Sequence, residues 1–309
     1  TQRFEAMDAA LRASFPLTSI VVVTRDNEDF IGPCLDSIRR NTSYPNYEVI
    51  VVDNVSRDDT RRMLASYAEQ EPRLRVILQD ENAGFAQASN VGVEQAGGDY
   101  LALLNVDTIV TWGWLERLLR HCRRDTGVGA VLPATNWASN EARSNVAYTE
   151  MSEMEKFAAS LAWRQWGQSI SLEMAPLLWA VIPRAVWNEL GPLDPRFQVG
   201  MFEDDDYSLR MRKAGLRIVC AEDCLVHHFG LGSFSKLPTA EYDRIYNENR
   251  FAFEQKWGVE WKLPRRRAGG SCSMREIRPG EFRCQILGLA PAVKVARERK
   301  MGTVTNSLP

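Results

Sequence analysis

The stretch YLALLNVD, residues 100–107, sets a short apolar run directly against Asn105-Val106-Asp107. A run of this length and composition fits a strand buried on both faces, and such strands belong to parallel sheets. A carboxylate just past the end of a buried strand is placed to hold a divalent cation. Further along, Glu203-Asp204-Asp205-Asp206 is followed by His227-His228. Four acids in a row repel one another unless a cation, an arginine or a proton relieves them. Together the two stretches point to a metal-dependent site acting on a phosphate-bearing substrate.

Working outward, residues 19–24 (SIVVVT) and 47–52 (YEVIVV) are two more strands of the buried kind, and 74–78 is a further strand. Helical spacing falls between them, at 30–40, 58–69 and 86–95, and again at 112–123. Strands alternating with helices give an α/β fold: a mainly parallel central sheet flanked by helices. Ligands of such sheets bind at the carboxyl ends of the strands. Thr24, Asp53, Asn105 and Asp107 all fall there. The second half is less regular. Residues 128–133 and 177–182 read as strands, 136–150 as a loop and 151–166 as a helix. Gly191-Pro192 marks a turn. A helix over 205–214 stops at Gly215. A strand over 216–220 and a long helix over 241–257 follow, and residues 1–15 read as a short amphipathic helix.

The chain has 309 residues, 45% of them hydrophobic and 25% charged, which fits one large or two small globular domains. Its net charge of −2 argues against a nucleic-acid binder. No apolar run approaches the ~20 residues of a membrane span. There is no signal peptide, and a first residue of Thr is compatible with a fragment of a longer chain. The six cysteines include no C-x-x-C pair and read as reduced thiols of a cytoplasmic protein, with Cys220 and Cys224 as ligands the alternative. From residue 263 onward the chain carries ten basic and three acidic residues. Such a tail suits an anionic membrane or a second domain, or is simply solvated.

Eight motifs then occur in a telling order: VVVTRDN, VVDNVSRDDT, NAGFAQASNVG, LLNVDT, LGPLDPRF, FEDDDYSLRMRKAG, HHFGLGSF and NRFAFEQKWG. In this order the chain resembles the family 2 glycosyltransferases, in particular those of bacterial surface polysaccharides such as rhamnosyltransferases. The resemblance runs from about residue 19 to 257. It implies a GT-A fold, a Rossmann-like nucleotide-diphospho-sugar transferase domain. The expected layout is a helical leader at 1–16, a GT-A domain at 17–262 and a basic tail at 263–309. The GT-A domain would divide into a nucleotide-binding half (17–110) and an acceptor-binding half (111–262).

The resemblance also assigns roles. Thr24, Asp53 and Asn54 would face the nucleotide base, carboxylate and amide groups being suited to its hydrogen bonds; an Asx-type turn is the alternative. Asn82 opens a Gly- and Ala-rich element that would lie under the nucleotide, or serve only close helix packing. Asn105-Val106-Asp107 takes the place of the family's Asp-x-Asp motif, with Asn105 bonding a ribose hydroxyl and Asp107 binding Mn2+ or Mg2+. His228 would be a further metal ligand. Asp204 matches the catalytic base, with Glu203 and Asp206 beside it on the acceptor side, where Trp179 also falls. Beyond the resemblance, the loop from Gly230 to Phe234 is placed to close over the phosphates, with Lys236 then contacting them.

The expected activity is an inverting, metal-dependent transfer of a sugar from a nucleoside-diphosphate donor, UDP- or dTDP-linked. The acceptor would be a glycan, a lipid-linked or a protein-linked molecule. The expected location is cytoplasmic and peripheral at the inner face of the membrane. The alternative is an inactive nucleotide-sugar-binding or scaffolding domain of a larger protein. An oxidoreductase is set aside because no G-x-G-x-x-G follows the first strand. A nucleotidyltransferase shares the metal-acid logic but leaves the late Glu-Asp and His-His elements without a purpose.

Overall fold

A computed structural model describes residues 15–230 and 238–264. The leader helix, the loop after Gly230 with Lys236, and the basic tail lie outside the described residues.

The first half builds as its pattern dictates. Strands β1 (Thr18–Thr24), β2 (Tyr47–Asp53), β3 (Leu74–Leu78) and β4 (Tyr100–Asn105) run parallel in the order β3-β2-β1-β4. Every residue of β1 is buried, so its β-branched run needs no polar alternation. Helices α1 (Glu28–Asn41), α2 (Thr60–Gln70) and α3 (Gly84–Glu94) make the crossovers. α3 lays Ala88 on Val23, Ile50 and Val52. Gly92 is what lets it come so near: a Cβ there would stand 2.5 Å from Val21 Cγ1 and 3.1 Å from Val52 Cγ2.

The second half continues the same sheet. It comprises β5 (Thr108–Val110), α4 (Trp114–Arg124), β6 (Val128–Thr135), α5 (Met151–Arg164), β7 (Ser169–Leu172), β8 (Trp179–Pro183) and α6 (Arg184–Leu190). A 3-10 turn (Pro195–Phe197), α7 (Glu203–Lys213), β9 (Arg217–His228) and α8 (Thr239–Trp257) complete it. The strand order is β3-β2-β1-β4-β8-β6-β9-β5, with β7 also paired to β9.

Parallel pairing holds from β3 to β4 and between β6 and β9, whereas β8 runs antiparallel to both its neighbours. β5 and β7 are likewise antiparallel to β9. β9 is much longer than residues 216–220. The apolar pattern breaks at Glu222-Asp223, but Asp223 is buried and satisfied inside the strand. It bonds His121 Nε2 at 3.0 Å, takes the Gly167 N–H at 2.7 Å and pairs with Arg120. A charged residue with three partners does not end a strand.

Cys34, Cys122, Cys220 and Cys224 are buried thiols outside any disulfide. Burial pushes the Cys34 thiol up to about 12, and Cys122 and Cys224 higher still. These are packed core thiols rather than nucleophiles. No helix among the described residues is long and apolar enough to cross a membrane.

Gly92→Val should overpack the contact between α3 and the sheet at a cost of about 1–3 kcal/mol. A thermal melt is expected to fall by several degrees; an unchanged Tm would show that α3 is not held at this distance.

Candidate functional site

The carboxyl ends of β1 and β2 form one corner of the site. Thr24 and Asp53 stand opposite one another in register, and Asn54 N–H donates to the Thr24 carbonyl at 2.8 Å. The two loops beyond are laced together. Asp26 N–H donates to Ser56 Oγ at 2.9 Å, Arg57 N–H to Asp26 Oδ1 at 2.7 Å, and Asn27 N–H to Thr60 Oγ1 at 3.2 Å. Asp26 and Val55 both hold positive φ, at 52° and 66°. Such backbone persists only where its surroundings enforce it. Asp53 is fully buried and accepts from Ser56 N–H and from Arg61 Nε at 2.6 Å. Arg61, on α2, went unnoticed in the sequence. It puts a cation beside a corner read from its carboxylate and amide alone.

Asn54 carries this corner to the next element. Its Nδ2 donates to Asn82 Oδ1 at 2.7 Å, and its Oδ1 accepts from Ala83 N–H at 3.0 Å. Gly84 follows at φ 78°, where a Cβ would lie 1.6 Å from the Gln198 carbonyl oxygen, so no other residue fits. Phe85 N–H donates to the Val199 carbonyl at 3.2 Å, and the Asn90 amide bonds the Leu193 backbone twice, at 2.8 and 2.9 Å. The Gly- and Ala-rich element therefore packs on the sheet and also joins the β1–β2 corner to the loop that precedes α7.

The centre of the site is made by pairing β5 with β9. Thr108 lies opposite His228, and Phe229 N–H donates to the Asp107 carbonyl at 3.0 Å. This register sets Asp107 Oδ2 3.2 Å from His228 Nε2, with both side chains almost wholly buried. Asn105 Nδ2 donates to the other carboxylate oxygen, Asp107 Oδ1, at 2.5 Å and so fixes its plane. The His228 backbone is clamped by the Asn136 amide in both directions, at 2.7 and 2.9 Å. His228 Nδ1 lies 3.2 Å from the Trp137 carbonyl, which can only accept, so Nδ1 donates there and Nε2 faces Asp107. Trp179 and Trp137 flank the imidazole, with ring centroids at 4.7 and 5.4 Å.

This donor pair fits a hard divalent cation. Two neighbouring ligands at about 2.1 Å from an octahedral ion are about 3 Å apart, close to the observed separation of Asp107 and His228. An imidazole lone pair facing a carboxylate is also a repulsive contact unless a proton or cation lies between them. Among the described residues no third His, Cys, Asp or Glu completes a ligand cluster. His227 points elsewhere: its Nδ1 bonds Tyr148 OH at 2.8 Å, and burial pushes its pKa down to about 3.

The acidic run forms the first turn of α7, where the helix dipole favours negative charge. Its entry is strained, with Met201 at φ 73° and Phe202 at φ 74°. The Asn249 amide of α8 holds that entry by reaching the carbonyls of Phe197, Gly200 and Met201 at 2.8–3.3 Å. The four acids then divide. Asp206 is fully buried and committed to Arg210, to Lys256 at 2.5 Å and to Trp257 Nε1 at 2.9 Å. Asp205 accepts from Trp261 Nε1 at 2.8 Å. Glu203 is buried, and its Oε2 has no hydrogen-bond partner among the described residues. Asp204 is partly exposed, its Oδ1 accepting only the N–H of Asp205 among the bonds described. Burial raises Asp204 well above the usual carboxylate range, and the charges of Asp205 and Glu203 add to it.

Of the tryptophans at the site, Trp179 is 1% exposed and packs beneath His228, whereas Trp137 is 50% exposed. Asn136, Trp137 and Trp261 had no motif to announce them, whereas Asn249 opens the NRFAFEQKWG motif.

Burial lifts Glu203 from 4.5 to about 7, so its folded-state stability is complete below 4.5 and declines as pH rises through about 7. Glu203→Gln should therefore melt above the wild type in alkaline buffer, with the gap closing as pH falls. A gap that does not change with pH would contradict a buried, unrelieved carboxylate.

Comparison with known proteins agrees with this architecture. The model of "Glycosyl transferase family 2" matches residues 19–178, more than half of the chain. The O-antigen biosynthesis protein RfbC of Myxococcus xanthus is 30% identical over 244 residues, covering 74% of this chain and 18% of that protein. The glycosyltransferase AglE of Haloferax volcanii is 33% identical over 109 residues, 35% of this chain and 36% of AglE. The chain thus spans well under half the length of these relatives. GalNAc-T7, solved with UDP, GalNAc and Mn2+, superposes with a TM-score of 0.58 at 16% identity, over 70% of this chain and 43% of that one. A mannosyltransferase from Pyrobaculum calidifontis, solved with GDP-Man and Mn2+, gives 0.50 at 19% identity, over 80% and 74%. These structural likenesses are to GT-A folds, and the match to the family model places the chain among the family 2 glycosyltransferases.

Proposed function

We propose that this chain transfers a sugar, with inversion, from a nucleoside-diphosphate donor to a glycan, lipid-linked or protein-linked acceptor in surface-glycoconjugate synthesis. UDP- and dTDP-sugars are the donors favoured. The observation that carries the reading is the Asp107–His228 pair, two buried donors 3.2 Å apart with their orientations fixed from behind. RfbC, named for O-antigen biosynthesis, supports the class of product.

Asp107 and His228 would hold Mn2+ or Mg2+, which when bound offsets the charge of a leaving diphosphate. Asp107 and His228 supply only two protein donors, so a nucleoside diphosphate would complete the site and cation and donor would bind together. Thr24, Asp53, Asn54 and Arg61 would receive the base, and Asn82 would brace Asn54. Asn105 orients Asp107 as well as standing within the reach proposed for the ribose.

Asp204 is the proposed base. It takes the proton from the acceptor hydroxyl, whose oxygen bonds to the anomeric carbon as the bond from that carbon to the diphosphate oxygen breaks. Attack from the opposite face inverts the carbon. A raised pKa suits the role, since the group must hold that proton as transfer proceeds. Asp206 is spent on the α7–α8 junction, and Trp179 supports His228. An inactive scaffold would leave Glu203 and Asp204 as crowded charges with no use.

Asp204→Asn should retain nucleotide binding and lose transfer by about 10²–10⁴-fold. Normal turnover would remove Asp204 from the role. Asp107→Ala should weaken donor binding in Mn2+ or Mg2+, measured by calorimetry; an unchanged affinity would move the cation elsewhere.

A further inference from the structure

We propose that Trp137 is a stacking platform for a pyranose ring, a reading that rests on the donor site proposed above. Four large tryptophan surfaces are exposed among the described residues: Trp112, Trp137, Trp163 and Trp166. Trp112 lies just before α4, and Trp163 and Trp166 lie at the end of α5. Trp166 is moreover covered by the Arg120 guanidinium at 4.0 Å. Trp137 alone of the four touches the candidate site, its ring meeting His228 edge-on with centroids 5.4 Å apart.

Its position is built rather than incidental. The preceding residue, Asn136, is bonded twice to the His228 backbone, and the Trp137 carbonyl meets His228 Nδ1. The indole is backed by Gly230, where a Cβ would stand 3.3–3.6 Å from three ring atoms. Trp137 nonetheless remains 50% exposed. A rigid aromatic face loses little conformational freedom on binding. The C–H face of a pyranose is the apolar surface that such a ring can cover, while the sugar hydroxyls stay wet.

The ligand's place follows from the cation pair. His228 Nε2 faces Asp107, and its Nδ1 side faces Trp137. A diphosphate held at the Nε2 side therefore lies one imidazole away from the platform. A sugar on its terminal phosphate, or the acceptor ring that attacks that sugar, comes within reach. Both sources present the same C–H face.

Trp137→Ala and Trp137→Phe test this. Each variant is titrated in Mn2+ with UDP, UDP-glucose, dTDP, dTDP-glucose, GDP and GDP-mannose. Each is also applied, with UDP, dTDP or GDP present, to a printed array of bacterial surface glycans. Both variants should bind the free diphosphates as the wild type does. Trp137→Ala should lose about tenfold or more in a sugar-dependent signal that Trp137→Phe largely keeps. Loss confined to the sugar nucleotides assigns the donor ring, and loss confined to the array assigns the acceptor. Equal binding of all probes by Trp137→Ala and wild type overturns the proposal. Weakened diphosphate binding in both variants also overturns it, since Trp137 then serves only to hold His228. A wild type that binds no diphosphate is a separate failure: the donor-site reading itself falls, and this one with it.

Discussion

The antiparallel pairing of β5 with β9 is the constraint on which the site depends. Three residues, Thr108–Val110, form the edge strand and pair with Val226–His228, the last residues of β9. That register alone brings Asp107 against His228. A slip of one residue would present His227 instead, which faces Tyr148 and is held neutral in the core. The surrounding bonds all defend the register: Phe229 to the Asp107 carbonyl, Asn136 to both backbone groups of His228, and Asn105 to the carboxylate. A carboxylate and an imidazole buried this closely need a proton or a cation between them, an arrangement that suits a metal site.

The acidic turn of α7 solves a different electrostatic problem. Asp206 is relieved by Arg210 and Lys256, and Asp205 by the indole of Trp261. Apart from Arg210 on α7 itself, the relief comes from α8 and the segment after it, and Asn249 of α8 also steadies the strained entry at Met201 and Phe202. Glu203, Asp204 and Asp205 are thereby left with raised pKa, and of these Asp204 and Asp205 are partly open to solvent. Asp205 is held by the Trp261 indole, which leaves Asp204 as the partly open acid without a side-chain partner among the bonds described. The link from Asn54 through Gly84 to the Gln198–Val199 backbone ties this turn to the β1–β2 corner, so the two halves share one framework.

Much of this was legible in the sequence because local pattern and tertiary role agree. Residues 19–24, 47–52 and 100–104 are buried on both faces, and a continuous apolar run says so directly. What escaped depends on partners distant in the chain. β5 is too short to carry a period, and β7 is half-exposed and polar. The end of β9 was hidden because Asp223 reads as a loop residue until His121 and Arg120 are seen beside it. The direction of β8 is invisible to its composition, since a buried antiparallel strand and a buried parallel one look alike. The same holds at the site. Asp107, Asp204 and His228 were visible through motif order, whereas Arg61, Asn136 and Trp137 matter only for what they touch. The exposure that separates Trp137 from the buried Trp179 has no trace in residue type.

The central claim is that Asp107 and His228 form one edge of a cation site completed by a nucleoside diphosphate. Its most direct test is a titration of Mn2+ into the protein, alone and with UDP, dTDP, GDP or CDP, repeated on His228→Ala. The account predicts that one diphosphate and Mn2+ strengthen each other's binding, by the same factor in either order, and that His228→Ala abolishes this coupling. A diphosphate that binds equally well without metal, or coupling that survives the loss of His228, would contradict it.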